Sequence, residues 1–212
     1  MKKRWIARVL LCILLLSLSF SAVSCANEDE AKVLKEAEAL LDAAFTVNEI
    51  YLGSGIAHNE NGRYIGIYYE ADKESLEKYG VETLSDIQAK AAAVYSMAVC
   101  AQLQSTVLTA LQVDGQLISP KRYYDLEEKG KTLLMVASTY EPLGVGTNSY
   151  ENCRVLWAKN GKAEISLTMY SHYGDNPVQS KENLVLSLVK ENGAWRLDDL
   201  AVRFYDTYLL EQ

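Results

Sequence analysis

Two Asn-Gly pairs, Asn160-Gly161 and Asn192-Gly193, constrain this chain more than any other feature. Asn-Gly suits two-residue hairpin turns in which both central residues take positive φ. Each pair lies between runs that read as strands, Cys153 to Lys159 and Lys162 to Tyr173 around the first, Asn183 to Lys190 and Ala194 to Phe204 around the second. Within Lys162 to Tyr173, Ile165, Leu167 and Met169 alternate with Glu164, Ser166 and Thr168, the period-two pattern of a strand with one buried face. Consecutive hairpins predict an antiparallel meander with one face free for helices. Upstream, Thr132 to Tyr140 predicts a strong strand and Leu117 to Tyr124 a weaker one after an Asp114-Gly115 turn, with a loop over Glu141 to Tyr150.

The first half is helical in pattern. Asn27-Glu28-Asp29-Glu30 offers a capping side chain followed by acids at the positive end of a helix dipole. Val33, Ala37, Leu40, Leu41, Ala44, Val47 and Tyr51 then keep helical spacing to about Leu52, where Gly53-Ser54-Gly55 stops the helix. Arg63 to Glu70 predicts a single tyrosine-rich strand, and Glu74 to Tyr79 a short helix ended by Gly80. Overlapping capping signatures at Thr83-x-x-Asp86 and Ser85-x-x-Gln88 start the next helix. That helix is predicted to run unbroken from Ile87 to about Gln112, with Ile87, Ala91, Val94, Ala98, Ala101, Ser105 and Leu108 on one stripe. No charge lies between Lys90 and Asp114, yet Gln102, Gln104, Ser105, Thr106, Thr109 and Gln112 would be stranded in lipid, so the stretch reads as core rather than membrane span. The expected fold class is α+β, with N-terminal helices packed on a curved antiparallel β-sheet meander.

The N-terminus is of another kind. Lys2, Lys3, Arg4 and Arg8 precede an apolar stretch from Val9 to Phe20. Twelve helical residues reach about 18 Å, short of a bilayer core of about 30 Å. A basic start, a short apolar stretch and then small residues is the layout of a secretory signal. Ala22-Val23-Ser24-Cys25 resembles the lipobox of bacterial lipoproteins. The resemblance implies cleavage before Cys25 and a diacylglyceryl thioether on its sulfur. Residues 1–24 are then a signal peptide, residues 25–30 a lipid-anchored tether and residues 31–212 one α+β domain. Localisation follows as the extracytoplasmic face of the cell membrane, with the membrane a partner through the lipid.

The leader holds four positive charges and no acid, so its removal takes the formal net charge from −7 to −11. A surface that acidic disfavours nucleic acid and anionic lipid, and permits a basic partner. Cys100 and Cys153 remain, and two readings stay open for them: a disulfide between the long helix and a strand, or two buried thiols.

The order helix, strand, long helix and antiparallel strands resembles the nuclear transport factor 2-like (cystatin-like) superfamily. The run from Leu186 through Asn192-Gly193-Ala194-Trp195-Arg196 to Asp198 is similar to its closing hairpin. The Tyr51 to Gly55 helix exit, the tyrosine-rich strand and that same hairpin are also similar to secreted inhibitors of cell-wall DL-endopeptidases, which occlude a cysteine peptidase. That likeness implies regulation of a cell-envelope enzyme.

No catalytic or metal motif stands out. His58 and His172 lack ligands at metal spacing, and His172 with Asp175 reads as a turn. Ser54 lacks a base, and Gly53-Ser54-Gly55 lacks the lysine of a phosphate loop. Tyr68, Tyr95, Tyr170 and His172 are the candidate pocket residues, and no cofactor is implied. The chain is therefore expected to act as a non-catalytic binding module for an envelope protein or small ligand. The alternative is a small enzyme of the same cone-shaped fold, using acid/base groups in its pocket.

Overall fold

The computed structural model describes residues 29–113, 116–140 and 145–203. The predicted signal peptide, Cys25, the predicted Asp114-Gly115 turn, the first part of the predicted 141–150 loop and the predicted end of the last strand at Phe204 lie outside the described residues.

Helix α1 spans Glu30–Tyr51, and the Asp29 side chain caps it by accepting from Ala31 and Lys32 N–H at 3.1 and 3.4 Å. Its buried stripe is Val33, Ala37, Leu41, Ala44, Val47, Asn48, Ile50 and Tyr51, close to the predicted spacing. The predicted strand from Arg63 to Glu70 is two short strands, β1 (Tyr64–Ile65) and β2 (Tyr68–Glu70), joined where Gly66 takes φ +61°. Helix α2 (Lys73–Tyr79) ends as expected at left-handed Gly80. The Thr83/Asp86 capping box forms and starts α3 (Leu84–Val94).

The single long helix does not form. The backbone turns extended at Tyr95, and Ser96 caps a new helix, α4 (Met97–Val107), by accepting from Val99 N–H at 3.3 Å. Tertiary bonds cause the break. Ser96 N–H donates to Leu197 C=O at 2.8 Å, and Tyr95 forms a parallel bridge with Leu197. The Tyr95 hydroxyl, 1% exposed with its ring, donates to Asn48 Oδ1 at 2.8 Å, while Asn48 Nδ2 donates to Ala201 C=O at 2.6 Å. A polar side chain buried in apolar surroundings needs such partners, and here they join three distant segments. The break also switches the buried face. Ile87, Ala91 and Val94 are buried in α3, whereas Val99, Cys100, Leu103 and Val107 are buried in α4 and Ala98, Ala101 and Ser105 are exposed.

The remaining strands are β3 (Leu111–Val113), β4 (Gln116–Ser119), β5 (Tyr123–Glu128), β6 (Lys131–Ala137), β7 (Thr147–Lys159), β8 (Lys162–His172), β9 (Gln179–Glu191) and β10 (Ala194–Leu197). They form a large antiparallel sheet in the order β10-β9-β8-β7, a small one in the order β1-β2-β6-β5, and the ribbon β3-β4. The fold is α+β, with the antiparallel strands divided between sheets rather than joined in one. Both Asn-Gly turns are where the sequence places them: Asn160 and Gly161 take φ 55° and 71°, Asn192 and Gly193 φ 51° and 82°. Ala163, Ile165, Leu167 and Met169 of β8, with Leu186 and Leu188 of β9, turn one face of the large sheet into core. Strand β10 stops at Leu197, short of the predicted end, because Asp199 accepts from Ser187 N–H at 2.7 Å and so takes over one backbone donor of β9.

Candidate functional site

The C-terminal end of α1 is held by two consecutive residues, Arg122 just before β5 and Tyr123 at its start. Arg122 is 3% exposed, and its guanidinium donates to Tyr51 C=O at 2.9 Å and Gly53 C=O at 2.7 Å. A cation suits this place, since carbonyls at a helix end lack intrahelical partners and carry the negative pole of the dipole. The guanidinium also lies 4.4 Å from the centroid of the Tyr140 ring. Tyr123 donates to Ile50 C=O at 2.8 Å and accepts from Ile56 N–H at 3.1 Å. Burial pushes its phenol up to about 12. Gly55 fits between these two side chains with φ +67°, where a β-carbon would collide with the Arg122 guanidinium and the Tyr123 hydroxyl.

This clamp places β5, and with it the open face of the small sheet. Tyr124 and Met135 are partners across β5 and β6, and Tyr68 pairs with Ala137 across β2 and β6, so all four project from one face. The Tyr68 and Tyr124 rings meet edge to face at 4.7 Å and cover Met135, which is fully buried. The Tyr68 hydroxyl donates to Lys121 C=O at 3.0 Å, and Lys121 Nζ sits 5.6 Å from the Tyr124 centroid. Ile65, Gly66, Ile67 and these three residues line a shallow, almost wholly apolar depression of about 460 Å³. Ile65 in this lining is 42% exposed, whereas Tyr64, 65% exposed, pairs with Tyr69 and belongs to the opposite face of the sheet. Tyr64 stacks on Tyr69 at 5.8 Å, and Tyr69 meets the His58 ring at 5.1 Å.

Next to this patch runs a groove of about 940 Å³ between α2 and the first half of β6. Leu76, Val81 and Leu134 supply apolar lining, with Glu70, Glu77 and Glu82 at its sides. Glu70 is the cross-strand partner of Met135, so patch and groove adjoin on one sheet.

The four candidate pocket residues are not brought together. Tyr68 lines the apolar depression. Tyr95 is core, its hydroxyl spent on Asn48, and burial raises its phenol. Tyr170 lies on the other sheet and points away from the core, since its neighbours Met169 and Ser171 on β8 point in. It faces a polar depression of about 480 Å³ and donates to Glu151 at 3.1 Å, a bond to a carboxylate that raises its phenol. His172 is exposed at the end of β8, paired across to Thr147. Helical spacing and strand alternation each assign a residue to a face of its own element, and the two sheets and the helix break separate those faces.

Of the two readings left open for Cys100 and Cys153, the structure has both as free thiols. Cys100 is buried against α4's own N-terminus, its Sγ 3.7 Å from Tyr95 C=O, and burial raises its pKa. Cys153 lies on β7 near Glu38 of α1, and burial with that nearby carboxylate pushes it up to about 11. The residues that sequence reasoning passed over are Lys121, Arg122 and Tyr124. Their available signal was a Lys-Arg-Tyr-Tyr run opening a strand, where a buried arginine is unexpected.

Among the described residues no group of three or more His, Cys, Asp and Glu side chains could hold a metal ion, and no helix is long and apolar enough to cross a membrane. No protein-family model matches the chain, and a search of curated proteins gives no match.

Proposed function

We propose that the protein is a lipid-anchored, extracytoplasmic binding module without catalytic activity, whose small sheet recognises a cell-envelope protein and regulates it, with inhibition of an envelope enzyme the sharpest form. The observation that carries this reading is the apolar patch on an open sheet face, where half-buried Tyr68 and Tyr124 adjoin exposed Ile65. Rigid tyrosines beside exposed apolar residues and a charged margin are the usual make-up of a protein-binding surface. The distribution of the chain is consistent with outward presentation. Helix α1 has 22 residues and so extends about 33 Å. It begins five residues after Cys25, while Arg122 and Tyr123 fasten the small sheet to its opposite end.

The finer reading of the fold, an NTF2-like meander curved around its N-terminal helices, is supported by the consecutive order of β7 to β10 and by the contacts of α1 with β7, β8 and β10. Fold alone does not assign a task, so the binding reading rests on the patch.

Two substitutions test the two halves. Cys25→Ser should leave the protein unprocessed or release it from membranes; normal cleavage with full membrane retention would sink the anchor. Ile65→Asp introduces a charge at an exposed position with little packing to lose, and should abolish co-isolation of the partner from solubilised envelopes. The same partner at the same yield with wild type and variant counts against the patch.

A further inference from the structure

Strand β6 has an open edge inside the acidic groove, and its geometry follows from the register. Ala71 N–H donates to Leu134 C=O, and Ser138 N–H donates to Ile67 C=O, so the even-numbered residues of β6 turn their backbone groups toward β2. Ala137 N–H donates to Arg122 C=O, so the odd-numbered residues turn theirs toward β5. By the same alternation Thr132 directs its N–H and C=O to the β2 side. The β2–β6 register continued past Glu70 would bring Lys73 opposite Thr132, but there the chain enters α2 behind the Asp72 cap. Among the described residues, Lys131, Thr132 and Leu133 therefore have β5 on one side, at Glu128, Glu127 and Leu126, and on the other side the groove instead of a strand. An open edge of this kind is a template for an added strand.

The groove also selects by charge. Glu70, Glu77, Glu82 and Asp86 line it, against Lys73 and Lys131. Lys73 is engaged with Glu77 at 3.6 Å, Glu70 accepts from Arg63 N–H at 3.2 Å, and Asp86 accepts from the backbone of Glu82 and Thr83, which leaves Glu82 as the carboxylate with most freedom to meet an incoming cation. We propose that this groove takes an extended, basic segment of a partner protein as a short added strand on β6, with backbone pairing at Thr132 and lysine or arginine side chains meeting Glu82 and Glu77. Three residues of strand cover about 10 Å, so the added strand is a short one and its charges decide selectivity. The inference rests on the binding-module reading, but it uses a surface beside the tyrosine patch and fails separately from it.

The test titrates the mature protein in neutral detergent with three synthetic peptides. One alternates lysine and valine, one alternates glutamate and valine, and the third is the lysine peptide N-methylated on alternate residues. The lysine peptide should bind at least tenfold more tightly than the glutamate peptide, weaken as salt rises, and slow hydrogen exchange at the Thr132 amide. N-methylation should cost tenfold or more, since it removes the donors of an added strand while keeping the charge. The double variant Glu77→Lys with Glu82→Lys should reverse the preference between the first two peptides; both positions are exposed, so the fold is retained. Equal binding of the two charged peptides, indifference to N-methylation, or no binding of any peptide at millimolar concentration overturns the proposal. If the last result accompanies partner capture that depends on Ile65, the groove proposal falls and the binding-module reading stands.

Discussion

Replacing Arg122 with Met keeps an apolar stem of similar length and removes the guanidinium that closes α1. Two hydrogen bonds from a charged donor are lost, to Tyr51 C=O and Gly53 C=O, together with the stacking over Tyr140. Hydrogen bonds to charged groups are worth ~1.5–3 kcal/mol each, and a buried carbonyl left without a donor adds to the loss. Relief from burying a charge offsets part of this. The net expectation is a loss of about 3–5 kcal/mol. For a domain of this length each kcal/mol moves Tm by about 2–4 °C, so the midpoint should fall by roughly 10 °C. Urea unfolding followed by circular dichroism measures the loss, and native-state hydrogen exchange should locate it, with the amides of the last α1 turn exchanging faster. A loss below about 1 kcal/mol, with unchanged exchange at Asn48 to Leu52, would refute the clamp. It would mean that the two carbonyls find water without difficulty. The clamp matters beyond stability because the next residues on β5 carry the tyrosine patch.

Two other predictions concern titration and thiols. The Asp86 carboxylate accepts from Glu82 N–H, Thr83 N–H and the Thr83 hydroxyl, and these bonds hold it below the ordinary carboxylate value. A depressed folded-state pKa gives stability that is present above the unfolded value and lost as pH falls through the folded one. The stability gap between wild type and Asp86→Asn should therefore be open at neutral pH and close as the pH drops below about 4; a gap unchanged down to pH 2 would contradict the linkage. Burial raises both thiols, Cys153 to about 11, so at pH 8 Cys100 and Cys153 should react slowly with a thiol reagent in the native protein and fully once unfolded. Absence of titratable thiol at Cys100 and Cys153 after unfolding would restore the disulfide.

What the sequence made legible was local chemistry. The Thr83/Asp86 box, Gly80 and the two Asn-Gly turns act through bonds and dihedral angles within a few residues, and each is found where the pattern placed it, while the cap of α1 is Asp29, one of the residues read as acids following the cap. The break at Tyr95-Ser96 was hidden because its cause is remote: Leu197 and Asn48 supply the bonds, and no Pro or Gly marks the spot. Gly66 was a readable warning that the Arg63 to Glu70 run would fold back on itself. The candidate site was legible only at Tyr68. Its partner Tyr124 becomes a neighbour through the placing of β6 between β2 and β5, and no periodicity within one element reports that arrangement.

The account stands or falls on the small sheet as the recognition surface. A photo-cross-linking residue at Ile65, in cells carrying the protein with Cys25 intact, tests this most directly, with the same residue at Leu156 on the far sheet as the comparison; both positions are exposed. The account predicts one discrete envelope-protein adduct from position 65 and none from position 156. No adduct from position 65, or the same adduct from both, would contradict it.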